Sequence, residues 1–369
     1  MSDRRQIAEL WNHSTPTALV TLIHAEGSSY RRPGARLLIT PTGYAGTISG
    51  GCLEAEVIRK AAWMVREGAV VERYSTLFDD TAQVPYGLGC GGIVDLLLEP
   101  ANTPECRALI AAIEASLRGQ AATVVTWLPD ANKPLRRVVL DPTGTPAFAS
   151  PNLEAKKLAC ASTLEPGREY QGRFVEQLLP PQRLVVLGAG DDAKPLVRMA
   201  SLLGWRVLVA DGRGQLARPE RFPEVEQVTQ LTASSIAPLK VTPNDAVVIM
   251  THSYEQDRDL LSAVLPIAPR YVGLLGARHR SSLLLSEAAA ITGLAVAECC
   301  ARIYAPVGLD LGGDGPEAIA LAVIAEAQAS IQGKLGASRR FTADDVARHV
   351  AEGPASRYLQ THCALDRPA

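Results

Sequence analysis

No charge of one sign dominates this chain. The formal net charge is −2 over 369 residues, with no long run of like charge, which argues against nucleic acid or an anionic membrane surface as the main partner. Long apolar runs are also missing: Leu184–Leu187 and Val207–Ala210 are strand-sized and far short of the roughly 20 residues that span a bilayer. The opening stretch, MSDRRQIAELWNHS, lacks the apolar segment and small-residue cleavage site of a secretory signal. Its Ile7, Leu10 and Trp11 instead share one face of a short amphipathic helix. The seven cysteines, Cys52, Cys90, Cys106, Cys160, Cys299, Cys300 and Cys363, form no CxxC pair and no zinc spacing. The expectation is a cytoplasmic protein with reduced thiols and no membrane partner.

With 47% hydrophobic and 21% charged residues, the composition is that of a soluble globular protein. The length exceeds one ordinary core, so two domains are expected. We read a mixed α/β domain over 1–150, with strands at Ala18–His24, Arg36–Thr40, Tyr44–Ile48, Ala69–Leu77 and Ile93–Leu98. A helix is expected from Gly51 to Glu67, and a late hairpin pairs Ala121–Leu128 with Arg137–Leu140. Residues 151–181, rich in Pro, Gly, Ser and charge and closed by Pro180-Pro181, read as an irregular linker. From Arg183 the pattern becomes regular. Continuously apolar strands at Arg183–Leu187, Trp205–Ala210, Ala246–Met250 and Tyr271–Leu275 alternate with helix-length segments, as in a parallel sheet covered on both faces. The fold class is therefore α/β, with a Rossmann-like doubly wound parallel sheet over 182–333. Pro316 opens its last helix, Glu317–Ile331, and 334–369 is a polar tail.

The glycine-rich turn carries the chemistry of the second domain. In RLVVLGAGDDAKPLVRMASLLGWRVLVADGR, Gly188 permits a tight turn after the strand and Gly190 a close backbone approach to a pyrophosphate. Ala193 keeps the following helix near the sheet, a G-x-G-x-x-A pattern. Asp211 ends the second strand, where an acid can accept a bond from a ribose hydroxyl. Asp191 and Asp192 do not belong in that picture. Two carboxylates beside a phosphate would repel it unless they cap the helix or point away.

The first domain has its own anion chemistry. Ser28, Ser29, Arg31, Arg32 and Arg36 offer hydroxyls and guanidinium forks within one loop-to-strand segment. Ser49-Gly50-Gly51 leads into a helix and offers free backbone N–H groups to an anion, with Cys52 in the first turn, where the dipole favours a thiolate. Cys90 lies among Gly87, Gly89, Gly91 and Gly92, whose small size leaves its sulfur uncrowded. Alone, either cysteine reads first as a small buried apolar residue; the Gly-Gly context at both adds the reading of a shared binding surface. Cys299-Cys300 reads as packing.

The strings SSYRRPGARLLI, GTISGGCLEAEV and YGLGCGG resemble the N-terminal motifs of the XdhC/CoxI family. VVIMTHSYEQD, YVGLLGARHR and IYAPVGLDLGGDGPEAIALAVIAE resemble its C-terminal Rossmann part. The resemblance runs from about Gly27 to Glu326 and leaves out Thr103–Pro180 and the tail. It implies an accessory factor, without a substrate of its own, for a molybdenum hydroxylase such as xanthine dehydrogenase. Such a factor binds the molybdenum cofactor, supports its sulfuration with a cysteine desulfurase and delivers it to the apo-enzyme. On that reading Arg31, Arg32, Ser49, Gly50, Gly51, Cys52, Cys90, Gly91 and Gly92 line the cofactor surface, with Cys90 at the metal. Gly188, Gly190, Asp211 and His252 mark the Rossmann part. His252 and Asp257 follow the third parallel strand, but Ser253 stands where the family often has Asp. Arg278, His279 and Arg280 open the next helix as basic partners or as a solvated face. Asp310, Asp314 and Glu317 surround the last helix start, where Glu317 suits the dipole alone. Two alternatives stand beside this one: an NAD(P)-dependent oxidoreductase using Asp211 and His252, and a sulfur-transfer protein using Cys52 or Cys90. A homodimer is compatible with all three.

Overall fold

The computed structural model describes residues 3–26, 29–51, 53–75, 93–151, 153–164, 172–232, 235–337, 340, 342–344 and 347–348. Two compact units divide between Pro180 and Pro181. In the first, α1 (Asp3–His13) precedes β1 (Ala18–Glu26), β2 (Arg36–Thr40) and β3 (Gly43–Gly46). Next come α2 (Glu54–Met64), β4 (Val70–Ser75), β5 (Ile93–Pro100) and α3 (Pro104–Leu117), then β6 (Ala122–Trp127), β7 (Arg136–Leu140), β8 (Pro146–Ala149), α4 (Ala155–Ala161) and β9 (Arg173–Leu178).

These strands make two antiparallel sheets, ordered β3-β2-β1-β5-β4 and β8-β7-β6-β9. Period-two alternation explains the layering. On β1, Ala18, Val20 and Leu22 face Val57 and Ala61 of α2, while Leu19 faces the other way, into a core with Leu109, Ile110 and Ile113 of α3 and Val124 and Leu178 of the second sheet. Helix α3 thus lies between the sheets. Its start is written locally: Thr103 accepts from the Cys106 N–H and Pro104 occupies the first turn. Two ion pairs cross between the sheets, Arg36 with Glu176 and Arg137 with Glu99, the latter at 2.8 Å with both side chains 1% exposed.

The segment read as an irregular linker holds two elements among its described residues. Residues 155–161 form α4, and β9 pairs antiparallel with the whole of β6, from Ala122 opposite Leu178 to Trp127 opposite Arg173. Phe174, Val175 and Leu178 are buried, and this long-range pairing offsets the weak local signal of a polar, glycine-bearing stretch.

The second unit holds β10 (Arg183–Leu187), α5 (Ala193–Leu202), β11 (Arg206–Asp211), β12 (Gln227–Gln230), β13 (Ala246–Ile249), α6 (Tyr254–Val264), β14 (Tyr271–Leu274), α7 (Arg278–Thr292), α8 (Val296–Arg302) and α9 (Pro316–Ile331). Its sheet is wholly parallel, ordered β12-β11-β10-β13-β14. Leu184 and Val186 face α5 and α9, whereas Val185 and Leu187 face α6 and α7. Helices on both faces explain why β10 is apolar at every position after Arg183. The strand order reverses at β10, so the carboxyl ends of β10 and β13 flank the crevice where such sheets bind ligands. Among the described residues no single helix is long and apolar enough to cross a membrane.

Candidate functional site

The carboxyl edge of the parallel sheet gathers Gly188, Gly190, Asp211 and His252. Gly188 has φ +129°, and a Cβ there would collide with the Met250 carbonyl, so only glycine lets β10 pass this close to the end of β13. Asp211 takes a different part from the one expected. It is fully buried, and its Oδ2 accepts from the Ala189 N–H at 2.7 Å and Arg213 Nη2 at 2.8 Å. Its Oδ1 accepts from the Arg213 N–H at 2.8 Å and Arg213 Nε at 3.0 Å. A carboxylate has about four acceptor positions, and all are used. Burial pushes the Asp211 pKa up, but the Arg213 side chain and the two backbone donors outweigh it and hold the group ionised. Asp211 is therefore a bracket for the glycine turn and for Arg213, which also reaches the Thr251 carbonyl at 3.1 Å. It has no acceptor left for a ribose hydroxyl.

The paired aspartates of the turn part company. Asp191 points outward, 80% exposed, and binds Lys194 at 2.7 Å and Arg221 at 3.1 Å. Its neighbour Asp192 turns inward. A Cβ on Gly190 would collide with Asp192 Oδ1, so this carboxylate fills the space that a glycine at that position leaves open. Its other oxygen meets His252 Nε2 at 2.7 Å. His252 itself has φ +65°, a left-handed conformation that histidine, like Asn and Asp, adopts more readily than most other residues. Behind it, Asp257 is buried and accepts from Thr251 Oγ1 at 2.6 Å and Arg280 Nη2 at 2.8 Å. Asp257 and Arg280 thus hold the two strand-end turns, and Ser253 caps α6 by accepting from the Gln256 N–H.

In the first unit the Ser49-Gly50-Gly51 turn is also not what the spacing suggests. Its amides are taken. Glu54 Oε1 accepts from the Ile48 N–H at 3.0 Å, the Ser49 N–H at 2.9 Å and the Gly50 N–H at 3.2 Å. Glu54 Oε2 accepts from the Gly51 N–H at 2.9 Å and from Ser49 Oγ, and Thr47 Oγ1 donates to Oε1 at 2.5 Å. Burial raises the Glu54 pKa, but bonds from Ser49, Thr47 and the turn amides prevail and lower it to about 2. The turn is an anion nest filled by the chain's own carboxylate. Glu54 is absent from the residues expected at the site, although its place three residues after Gly51 is the spacing at which a Glu reaches back to a helix start.

Beside this turn lies a cavity of about 780 Å³ lined by Tyr30, Arg31, Arg32, Arg4, Arg36 and Glu176, among others. Tyr30 would meet a Cβ on Gly50 at 2.8 Å, so the ring lies directly over the turn. Arg31 pairs with Asp3. Arg36 is buried, paired with Glu176, and its Nε has no partner. Arg32 is exposed. Four arginines line the cavity against two carboxylates, Asp3 and Glu176, so positive charge is in excess there. Such a surface can hold a phosphate or an oxo group through planar, two-pronged donors.

Ser28, Cys52, Cys90, Gly91 and Gly92 lie outside the described residues. Cys299 is buried and Cys300 exposed. Among the described residues, no group of three or more His, Cys, Asp or Glu side chains could hold a metal ion.

Comparison with known proteins adds to this geometry. Residues 184–327 match the XdhC Rossmann domain, and residues 10–75 match the XdhC and CoxI family. The chain is 28% identical over 315 residues to a Bacillus subtilis protein named as a probable xanthine dehydrogenase subunit, covering 84% of this chain and 91% of that protein. It is 26% identical to "Molybdenum cofactor insertion chaperone PaoD" of Escherichia coli, covering 84% and 81%. A crystal structure described as a xanthine dehydrogenase from Bacillus halodurans superposes with a TM-score of 0.76 at 26% identity, covering 94% of this chain and 99% of that one.

Proposed function

The chain belongs to the XdhC and CoxI family, and from that premise we propose that it binds molybdenum cofactor as cargo and passes it to an apo-molybdenum hydroxylase of the xanthine dehydrogenase type. The name of the Escherichia coli relative supports the cargo, and that of the Bacillus subtilis relative supports the client. The single geometric observation behind the reading is the arginine-lined cavity beside Tyr30, where the exposed Arg32, with Arg4 and Arg31 also lining it, suits the terminal phosphate of the pterin. Pockets of this size hold small cofactors. Gly188, Gly190 and His252, at the Rossmann crevice, form the second unit's own candidate binding surface. In this reading Cys52 or Cys90, which with Gly91 and Gly92 lie outside the described residues, supplies a thiolate, a suitable soft ligand for the metal. A cysteine desulfurase acts on the cargo while it is held, and the protein works in the cytoplasm.

The NAD(P)-dependent oxidoreductase alternative loses its main residue, since Asp211 is spent within the protein. The decisive experiment mixes the purified protein with released molybdenum cofactor and assays reconstitution of an apo-molybdenum hydroxylase. Pterin co-purification and faster reconstitution are expected, both reduced at least tenfold by Arg32→Ala. Micromolar NAD binding with no pterin and no reconstitution would overturn the reading.

A further inference from the structure

The cavity of the first unit has two unlike kinds of wall. Arg4, Arg31 and Arg32 bring charge to it, while Tyr30, Pro33 and Phe174 bring flat apolar surface. Phe174 is buried and belongs to a core cluster. Tyr30 is 79% exposed, and burial of its ring therefore contributes little to the fold. The ring nevertheless has a fixed place. Gly50, at φ +97°, packs against one side of it, and a Cβ there would come within 2.8 Å of Cδ1, 3.1 Å of Cε1 and 3.2 Å of Cγ. Arg32, on the same cavity wall, is exposed as well. A cavity that took only a small anion would need guanidinium forks and no ring held open to solvent beside them.

We propose that Tyr30 is the stacking platform of this cavity, which recognises a planar heteroaromatic ring and a phosphate carried on one molecule. The ring of the ligand lies on Tyr30, and its phosphate meets Arg32. Stacking reads only a flat π-face, so the platform accepts a pterin or a purine alike. Ring and phosphate bind weakly when separate, because each fills part of the site, and strongly when joined, because the second contact is then intramolecular. The inference rests on the cargo reading for its choice of cavity; the ring contact is drawn from Tyr30 and Gly50.

The test is calorimetric titration of guanosine monophosphate, guanosine and inorganic phosphate into the full chain. Guanine is a suitable probe because it shares the aminopyrimidinone edge of a pterin. Wild type, Tyr30→Phe, Tyr30→Ala and Tyr30→Leu are compared, the last keeping apolar bulk without a flat face, and thermal melting identifies the folded variants. Wild type is expected to bind the nucleotide at least about tenfold more tightly than either fragment, and Tyr30→Phe to keep that affinity. Tyr30→Ala and Tyr30→Leu should each lose about tenfold for the nucleotide with phosphate affinity unchanged, a split that a merely structural role would not produce. Nucleotide binding no tighter than phosphate binding in wild type overturns the proposal. So does nucleotide affinity that survives Tyr30→Leu, or an equal loss of phosphate binding in that variant. The cargo reading is judged separately by reconstitution: its failure, with the Tyr30 split intact, leaves the platform standing with a nucleotide as its ligand.

Discussion

Glu54 and Asp211 show how one buried carboxylate can settle the fate of a whole turn. For Glu54 the unfolded chain titrates near 4.5 and the folded group near 2, a folded pKa that is depressed. Its contribution is therefore fully present above about pH 4.5 and is lost as pH falls toward 2, with a size of roughly 2–3 kcal/mol. Urea unfolding of wild type and Glu54→Gln should differ by about that amount at pH 7, and the difference should shrink at pH 3. A gap that stayed constant with pH would show that the ionised form has no special role. For the second pair, Arg213→Ala leaves Asp211 buried with half its bonds gone and should cost about 1–3 kcal/mol, since Arg213 itself is partly exposed. Asp211→Asn combined with Arg213→Gln should cost less than that single change, a coupling that a double-mutant cycle in urea can measure.

At the scale of elements, legibility follows locality. The parallel strands, the glycine turn and the last helix are readable because a run such as Leu184–Leu187, or the stripe of Ala320, Val323, Ile324 and Ala327, carries its burial in its own spacing. The pairing of β9 with β6 has no such signature, since Arg173–Leu178 is short and follows a polar stretch. Helix α3 is missing from the elements expected, though Thr103-Pro104 and the Leu109, Ile110 and Ile113 stripe mark it. At the site, Gly188 and Asp211 stand out in the sequence as positions, but the direction of their bonds is hidden. Nothing in the spacing says that the acid after β11 turns back on Arg213, or that Asp192 folds inward while Asp191 folds out. Two consequences are measurable. Gly188→Ala, forced against the Met250 carbonyl at φ +129°, should destabilise the second unit by about 2–4 kcal/mol by chemical denaturation. Truncation after Ser150, which removes β9, should abolish the cooperative unfolding of the first unit in a thermal melt, whereas residues 1–180 should retain it.

At the scale of the molecule, the two units bury separate cores, and each closes its own glycine turn with an internal acid. The fragment 181–337 should accordingly melt as a single cooperative transition without the first unit. Failure to fold alone would show that its core is incomplete.

The carrier role proposed above would require the protein to survive the interval in which it carries nothing. In many anion cradles the departure of the ligand leaves amide groups crowded and unsatisfied, so release and local opening are coupled. The turn at Ser49–Gly51 escapes that coupling, because Glu54 stays behind when any passenger leaves. Amide exchange at Ile48, Ser49, Gly50 and Gly51 should therefore be equally slow in the laden and the vacant protein. The vacant form then persists as a ready reservoir, with a lifetime set by its own chain.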